Sequence, residues 1–105
     1  MRVTVSHDKS KQQVREAVDR SLERLASSVA SGPLLITDTR KSWSGDTMNF
    51  TLTAQIGFLR APFQGWILVG ETSVTIDLDL GLLASLIAPD RAAAALTRSV
   101  KGLLT

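Results

Sequence analysis

The sequence predicts a single α+β domain over residues 1–105, in which an N-terminal amphipathic helix, a four-stranded antiparallel meander and a C-terminal helix follow one another. Three observations carry this prediction. Apolar residues recur at steps of three and four before Pro33, they alternate with polar residues between Leu34 and Leu80, and a last helical stretch follows Pro89. A period near 3.6 is typical of an amphipathic helix, and a period of 2 is typical of a strand with one buried face.

The first helix is predicted over about Lys9 to Ala30, after a short strand or extended lead-in at Met1 to His7. Asp8 or Ser10 is expected to cap this helix, because either side chain can accept a hydrogen bond from an unpaired helix N–H. Gly32-Pro33 is expected to end it. Its apolar positions lie on one face of the helical wheel and are Val14, Ala17, Val18, Leu22, Leu25, Ala26 and Val29.

The meander is predicted from four stretches that favour strands. These are Leu34 to Trp43, Met48 to Phe58, Trp66 to Val69 and Val74 to Leu80. Ser44-Gly45-Asp46 and Gly70-Glu71-Thr72 predict hairpin turns. The segment from Leu59 to Gly65, which contains Pro62, is expected to interrupt the sheet.

The alternation also predicts which side chains are buried. One face of the sheet is apolar and the other is polar, so helices are expected to cover one face only. A slip of one residue in strand register would reverse both sets together, which makes the expectation sharp. Positions expected to be buried are Phe50, Leu52, Ile56, Ile76 and Leu78. Positions expected to be exposed, or covered by a partner subunit, are Thr51, Thr53, Asp77 and Asp79.

The stretch from Leu82 to Ala88 is apolar and free of charge. Asp90 is expected to cap a last helix that continues to about Leu104. A run that is apolar around the whole helical wheel cannot bury every side against one sheet, so the stretch is either core or an interface. The candidate interaction surface is Leu82, Leu83, Leu86 and Ile87.

Composition excludes several functions. The chain has no cysteine, which removes disulfides, thiolate metal sites and cysteine nucleophiles. Its longest charge-free runs are shorter than the ~18 apolar residues that a membrane span needs. The N-terminus lacks the apolar core of a signal peptide, so a cytoplasmic location is expected. A net charge of +2 makes no case for nucleic acid, and the basic last helix, with Arg91, Arg98 and Lys101, is expected to be solvated.

Few residues are candidates for chemistry. His7 is the only histidine, and no second ligand or nucleophile is spaced to work with it. Asp77 and Asp79 share one side of a strand, where solvated carboxylates are the simpler interpretation. We therefore expect no catalytic site, no metal and no cofactor. An enzyme that uses His7 with these two carboxylates is the weakest alternative.

Order and spacing of several residues carry a family resemblance. These residues are a Ser-His opening, Trp43-x-Gly45-Asp46-x-Met48-x-Phe50, Gly57, Pro62, Gly65-x-Ile67, Val74-x-Ile76-x-Leu78 and a closing leucine-rich helix. From Val5 to Leu104 the chain resembles the small polyhydroxyalkanoic acid system family of bacteria. It departs from that family at Pro89, which interrupts a final helix that is usually continuous. The resemblance implies association with polyhydroxyalkanoate storage granules or with their proteins, and it supplies no catalytic residues.

Two functions are therefore weighed besides the enzyme. The first is a non-enzymatic accessory protein that contacts the granule or a granule protein. The alternative is a small carrier that holds a hydrophobic ligand between a helix and the apolar face of the sheet, at Phe50, Leu52, Ile56 and Ile76. A homodimer is expected in addition, formed through the Leu82–Ile87 surface or through a free strand edge, because Met48 to Leu59 carries no charge to guard a strand.

Overall fold

The computed structural model describes residues 1–29, 34–85 and 87–105 and confirms the α+β architecture. Both helices and a five-stranded antiparallel sheet are present. In chain order the elements are β1 (Arg2–Ser6), α1 (Lys11–Ser27), β2 (Leu35–Ser44), β3 (Thr47–Ile56), β4 (Leu59–Val69), β5 (Ser73–Asp79), a 3₁₀ helix (Gly81–Ser85) and α2 (Pro89–Leu103).

The N-terminal lead-in is a fifth strand. The spatial order is β1-β5-β4-β3-β2, so the four meander strands are neighbours in sequence and β1 is added beside β5. Val3 of β1 faces Ile76 of β5, and the amino group of Met1 donates to the carbonyl of Leu78 over 2.9 Å. The two edges of the sheet are therefore β1 and β2, and the charge-free strand β3 lies inside it.

Both helices lie on one face of the sheet, which we call the inner face. The predicted burial is confirmed for Phe50, Leu52, Ile76 and Leu78, and Ile56 is half-buried. From the helices, the most deeply buried side chains are Val14, Val18, Leu96 and Val100. On the opposite, outer face, Thr51 and Asp79 are exposed, and Thr53 and Asp77 are half-buried.

The prediction of a break at Leu59 to Gly65 is wrong, because β4 runs without interruption through Pro62. Pro62 faces Thr53 of β3, while β5 pairs with β4 only from Gln64 onwards. Pro62 therefore has a strand neighbour on one side only. A residue without a backbone N–H is tolerated where no second strand needs that donor.

The boundaries of both helices differ from expectation. Ser10 caps α1 and forms a capping box with Gln13, which decides between the two predicted caps. α1 ends at Ser27 with Ser28 as its C-cap, so the helix is shorter than the predicted stretch from Lys9 to Ala30, and Gly32-Pro33 lies outside the described residues. Asp90 is not the cap of α2, because the helix begins at Pro89, whose fixed φ suits a first helical position. The Asp90 carboxylate lies in the first turn, where its negative charge interacts favourably with the positive end of the helix dipole.

Candidate functional site

The Trp-x-Gly-Asp motif attaches the β2–β3 hairpin to α1. Gly45 adopts a φ of +59° at the turn, as the hairpin prediction required. Asp46 accepts a bond of 2.9 Å from Nζ of Lys11, at the first turn of α1. This bond and the charge of Asp46 raise the pKa of Lys11. The backbone carbonyl of Asp46 also accepts a bond from the N–H of Val69, so the turn is tied to the end of β4.

Trp43 contacts the same face of α1 one and two turns further on. The Arg15 guanidinium lies 4.7 Å from the centre of the indole ring, and the indole Nε1 donates to Oδ1 of Asp19 over 3.0 Å. Nζ of Lys41 lies 3.3 Å from the same carboxylate oxygen. The Trp43 bond, followed by the Lys41 contacts, lowers the pKa of Asp19 although partial desolvation opposes them.

The remaining motif positions also serve the fold. Gly65 faces Phe50, and a Cβ at Gly65 would collide with the carbonyl oxygen of Asp77 and come within 3.0 Å of the Phe50 ring. Gly57 occupies the β3–β4 turn with a φ of +59°. Among the residues of the family-like motif Trp43, Gly45, Asp46, Phe50, Gly57, Pro62 and Gly65, these positions therefore serve turns, close strand packing and helix docking.

His7 is a structural residue. Its Nδ1 accepts the backbone N–H of Lys9 over 3.1 Å, so Nε2 carries the proton and donates to the carbonyl of Gly70 over 2.9 Å. Asp77 is opposite Arg2, five residues before His7 along β1, which places the carboxylate about 17 Å away at 3.3 Å per residue. The structure does not bring His7, Asp77 and Asp79 together, so these three residues do not form one catalytic site. Within the described ranges, no three His, Asp or Glu side chains cluster as metal ligands.

The interior between sheet and helices is closely packed. A cavity there, lined by residues such as Leu22, Phe50, Ile67 and Leu96, has a volume of about 10 Å³. A ligand site of this kind needs about 300 Å³ or more. The carrier interpretation is therefore wrong for this interior.

Only part of the predicted Leu82–Ile87 surface is described. Ile87 is buried in the core and is not available as a surface residue in this chain. The backbone at Leu82 and Leu83 belongs to the 3₁₀ helix, and Leu86 lies outside the described residues. Ile87 belongs to the hydrophobic core that the sheet and the helices form together.

A group of apolar side chains, some of them exposed, lies at the β3–β4 turn, at the end of β3 away from the β2–β3 turn. Phe58 was expected to continue the alternation of β3, but it is the second residue of the two-residue turn Gly57-Phe58, and its side chain is fully exposed. Leu35 at the start of β2 is 57% exposed and faces Gln55 near the same turn. Ile56 and Leu59 pair across the hairpin and are half-buried. We call Leu35, Ile56, Phe58 and Leu59 the apolar tip; a Gly-x pair between strands is the sequence signal that identifies such a turn.

An open polar groove of about 590 Å³ crosses the outer face. Its floor includes Trp66, and the Arg2 guanidinium lies 5.3 Å from the centre of that ring. Arg2 also forms an ion pair of 3.0 Å with Asp77. Arg40 lines one side of the groove and Asp79 the other. Composition and spacing gave no signal for this juxtaposition, because it depends on the register of four strands.

Fold and surfaces together define a small α+β protein with two helices on one sheet face, an open outer face and an apolar hairpin tip. None of its described helices is long and apolar enough to cross a membrane. The family model for polyhydroxyalkanoic acid system proteins (PHA_gran_rgn) matches residues 1–104, so the chain belongs to that family. A comparison with curated proteins finds no match.

Proposed function

We propose that this chain is a non-enzymatic accessory protein of the polyhydroxyalkanoate system, which associates with the surface of storage granules in the cytoplasm. Membership of the polyhydroxyalkanoic acid system family supports the link to that polymer. One observation carries the granule contact, namely the full exposure of Phe58 at the apolar tip. An aromatic ring beside other apolar side chains gains free energy when an apolar surface removes it from water.

The charges around the apolar tip suit contact with a particle. Thr47 to Leu59 carries no charge, and the next residue, Arg60, is paired with Asp38 over 3.2 Å. Little charge therefore has to be desolvated when the apolar tip touches the polymer. The structural role of His7 supports the non-enzymatic part of the proposal, because both of its ring nitrogens are engaged in bonds within the chain.

Co-sedimentation with granules tests the contact. Phe58→Glu should reduce the bound fraction at least about tenfold, since burying a carboxylate against an apolar polymer is costly. The matched control is Thr72→Glu, which adds the same charge to an exposed hairpin residue at the opposite end of β4. Equal binding of both variants would overturn the apolar tip as the contact.

Protein-free polymer particles distinguish binding to the polymer itself from binding to a granule protein. Binding to these particles supports direct contact with the polymer. Binding to native granules alone would assign the contact to a granule protein instead. A turnover assay that detects hydrolysis or acyl transfer dependent on His7 would overturn the non-enzymatic role.

The proposed function includes a homodimer, for which two of the features named from the sequence are not available. Ile87 is buried, and the charge-free strand β3 is not an edge. Edge strand β2 has a register shift between Thr37 and Arg40, with Asp38 at a φ of +52°. Such a bulge, together with the charges of Arg40 and Lys41, disfavours strand-to-strand pairing at that edge.

A further inference from the structure

Two opposite charges on the outer face lack an ion-pair partner among the described residues. Arg40 faces Thr51, Thr51 faces Gln64, and Gln64 faces Asp79, so Arg40 and Asp79 lie at the two ends of one row across the sheet. Among the described residues, the Asp79 carboxylate accepts the backbone N–H of Gly81, over 3.2 Å. By contrast, Arg2 is paired with Asp77 on the same face.

Arg40 and Asp79 cannot neutralise each other within one chain. Arg40 lies on β2 and Asp79 on β5, and three strand spacings amount to about 14 Å. An ion pair needs a nitrogen and an oxygen within about 4 Å of each other. The row therefore has a free positive charge at one end and a free negative charge at the other.

We propose that the outer face packs against the outer face of a second copy, about a two-fold axis that runs parallel to the strands between β3 and β4. This rotation exchanges β2 with β5 and keeps every residue at its height along the strands. Arg40 of each copy then lies opposite Asp79 of the other, and symmetry forms the contact twice. The inference rests on the homodimer of the proposed function and identifies its surface.

The charges decide between the two possible face-to-face arrangements. A two-fold axis perpendicular to the strands would leave β2 opposite β2, and with the axis at the height of this row Arg40 would face Arg40 and Asp79 would face Asp79. Like charges placed opposite each other in an interface cost several kcal/mol. The strand-parallel axis avoids this cost and places opposite charges together.

Other outer-face positions are compatible with the strand-parallel axis. Exchange of β3 with β4 places Thr51 opposite Gln64, Asn49 opposite Trp66 and Thr47 opposite Leu68, all without a charge. Leu68 is 44% exposed in the single chain and becomes covered in the dimer. Two sheets packed face to face with their strands within about 30° of parallel are a common arrangement.

The arrangement has a consequence for granule binding. Because the strand-parallel rotation keeps heights along the strands, both apolar tips lie at the same end of the dimer. Two contacts on one rigid body raise the apparent affinity for a surface by about 10²–10⁴ over a single contact. The perpendicular axis would send the apolar tips in opposite directions.

Charge reversal tests the surface by sedimentation equilibrium without granules. Arg40→Asp should raise the dimer dissociation constant at least about tenfold, because it opposes two carboxylates at both symmetry-related contacts. Combining it with Asp79→Arg should restore dimerisation, since the pair is then formed with its charges exchanged. Arg98→Asp is the matched control, as it makes the same charge change on an exposed residue of α2.

The axis is tested by cross-linking. The chain has no cysteine, so Gln55→Cys introduces a single thiol beside the apolar tip. In the strand-parallel dimer each thiol lies opposite Arg60 of the other copy. The two thiols are offset by one strand spacing and separated by about 10 Å of sheet packing, so they are about 11 Å apart and a short bis-maleimide should link them. Gln12→Cys, at an exposed position of α1 on the opposite side of the sheet, should remain unlinked.

The outcomes separate this inference from the proposed function. A wild-type chain that is monomeric at 100 µM, roughly the range of weak interfaces, overturns the homodimer and the surface together. A dimer that is indifferent to Arg40→Asp, or that the exchanged pair fails to restore, overturns the surface alone. Granule co-sedimentation of Phe58→Glu tests the apolar tip independently of either result.

Discussion

The indole nitrogen of Trp43 donates a hydrogen bond of 3.0 Å to the carboxylate of Asp19, which joins the middle of α1 to the second strand of the sheet. The bond continues a series of contacts along α1, in which Lys11, Arg15, Asp19 and Glu23 recur every fourth residue and all reach the β2–β3 hairpin. Glu23 closes the series by accepting a bond of 2.8 Å from the Thr39 hydroxyl. A helix face whose charged residues suggest, from the sequence, that it is exposed to solvent therefore attaches the hairpin to the helix.

Trp43→Phe should lower the free energy of unfolding by about 1–2 kcal/mol, because a hydrogen bond to a charged group is lost while an aromatic ring is kept for Arg15. A double-mutant cycle with Asp19→Ala, followed by urea unfolding, measures the coupling. A coupling free energy near zero would contradict the role assigned to this bond.

The same pair predicts a dependence of stability on pH. The Trp43 hydrogen bond lowers the pKa of Asp19 from its ordinary value of 3.8. A carboxyl group whose folded pKa is depressed contributes stability above the unfolded pKa, and that contribution is lost as pH falls through the folded pKa. Wild type should therefore lose more stability than Asp19→Asn when urea unfolding is repeated from pH 7 down to below pH 3.8. Parallel losses in the two proteins would contradict the assignment.

Leu52→Ala should cost about 2–5 kcal/mol of unfolding free energy, because the side chain is almost fully buried in the core. Leu35→Ala is the control and should cost no more than about 0.5 kcal/mol, since its side chain is 57% exposed. Urea denaturation of both variants checks the inner-face assignment, and a loss below about 0.5 kcal/mol at Leu52 would refute it.

Gly65→Ala should destabilise the protein by about 1–3 kcal/mol, because the added methyl group collides with the Asp77 carbonyl and crowds Phe50. Gly102→Ala is the matched control, since a Cβ there meets nothing within 4 Å and alanine favours the helix. The midpoint temperature of thermal unfolding should fall for Gly65→Ala and rise for Gly102→Ala. Equal shifts would show that the close strand approach at Gly65 is relaxed in solution.

His7→Ala should reduce stability by about 1–2 kcal/mol through the loss of two hydrogen bonds and leave granule co-sedimentation unchanged. His7→Asn offers an acceptor for the Lys9 N–H and should recover part of that loss. Urea unfolding and co-sedimentation of the same samples separate the two effects. Loss of granule binding in a folded His7→Ala protein would assign this residue a role beyond the fold.

Periodicity predicted the elements that local chemistry dictates. The amphipathic face of α1, the strands β2, β3 and β5, and the positive φ of Gly45 follow from side-chain spacing and backbone sterics. Prediction failed where long-range pairing overrides a local signal. A proline usually interrupts a strand, but Pro62 is accommodated because β5 ends before reaching it.

The sequence by itself determined the α+β class, the inner face of the sheet and the family resemblance, since each depends on residue order and a repeating period. Only the tertiary structure decided that Phe58 turns outwards, that Ile87 is buried, and that His7 lies far from Asp77. Strand register likewise placed Arg40 and Asp79 on one row although 39 positions separate them in the chain, by the difference of their residue numbers. The physical reason is that a surface is formed by neighbours in space, and the pairing of distant strands that makes them neighbours leaves no period in the sequence.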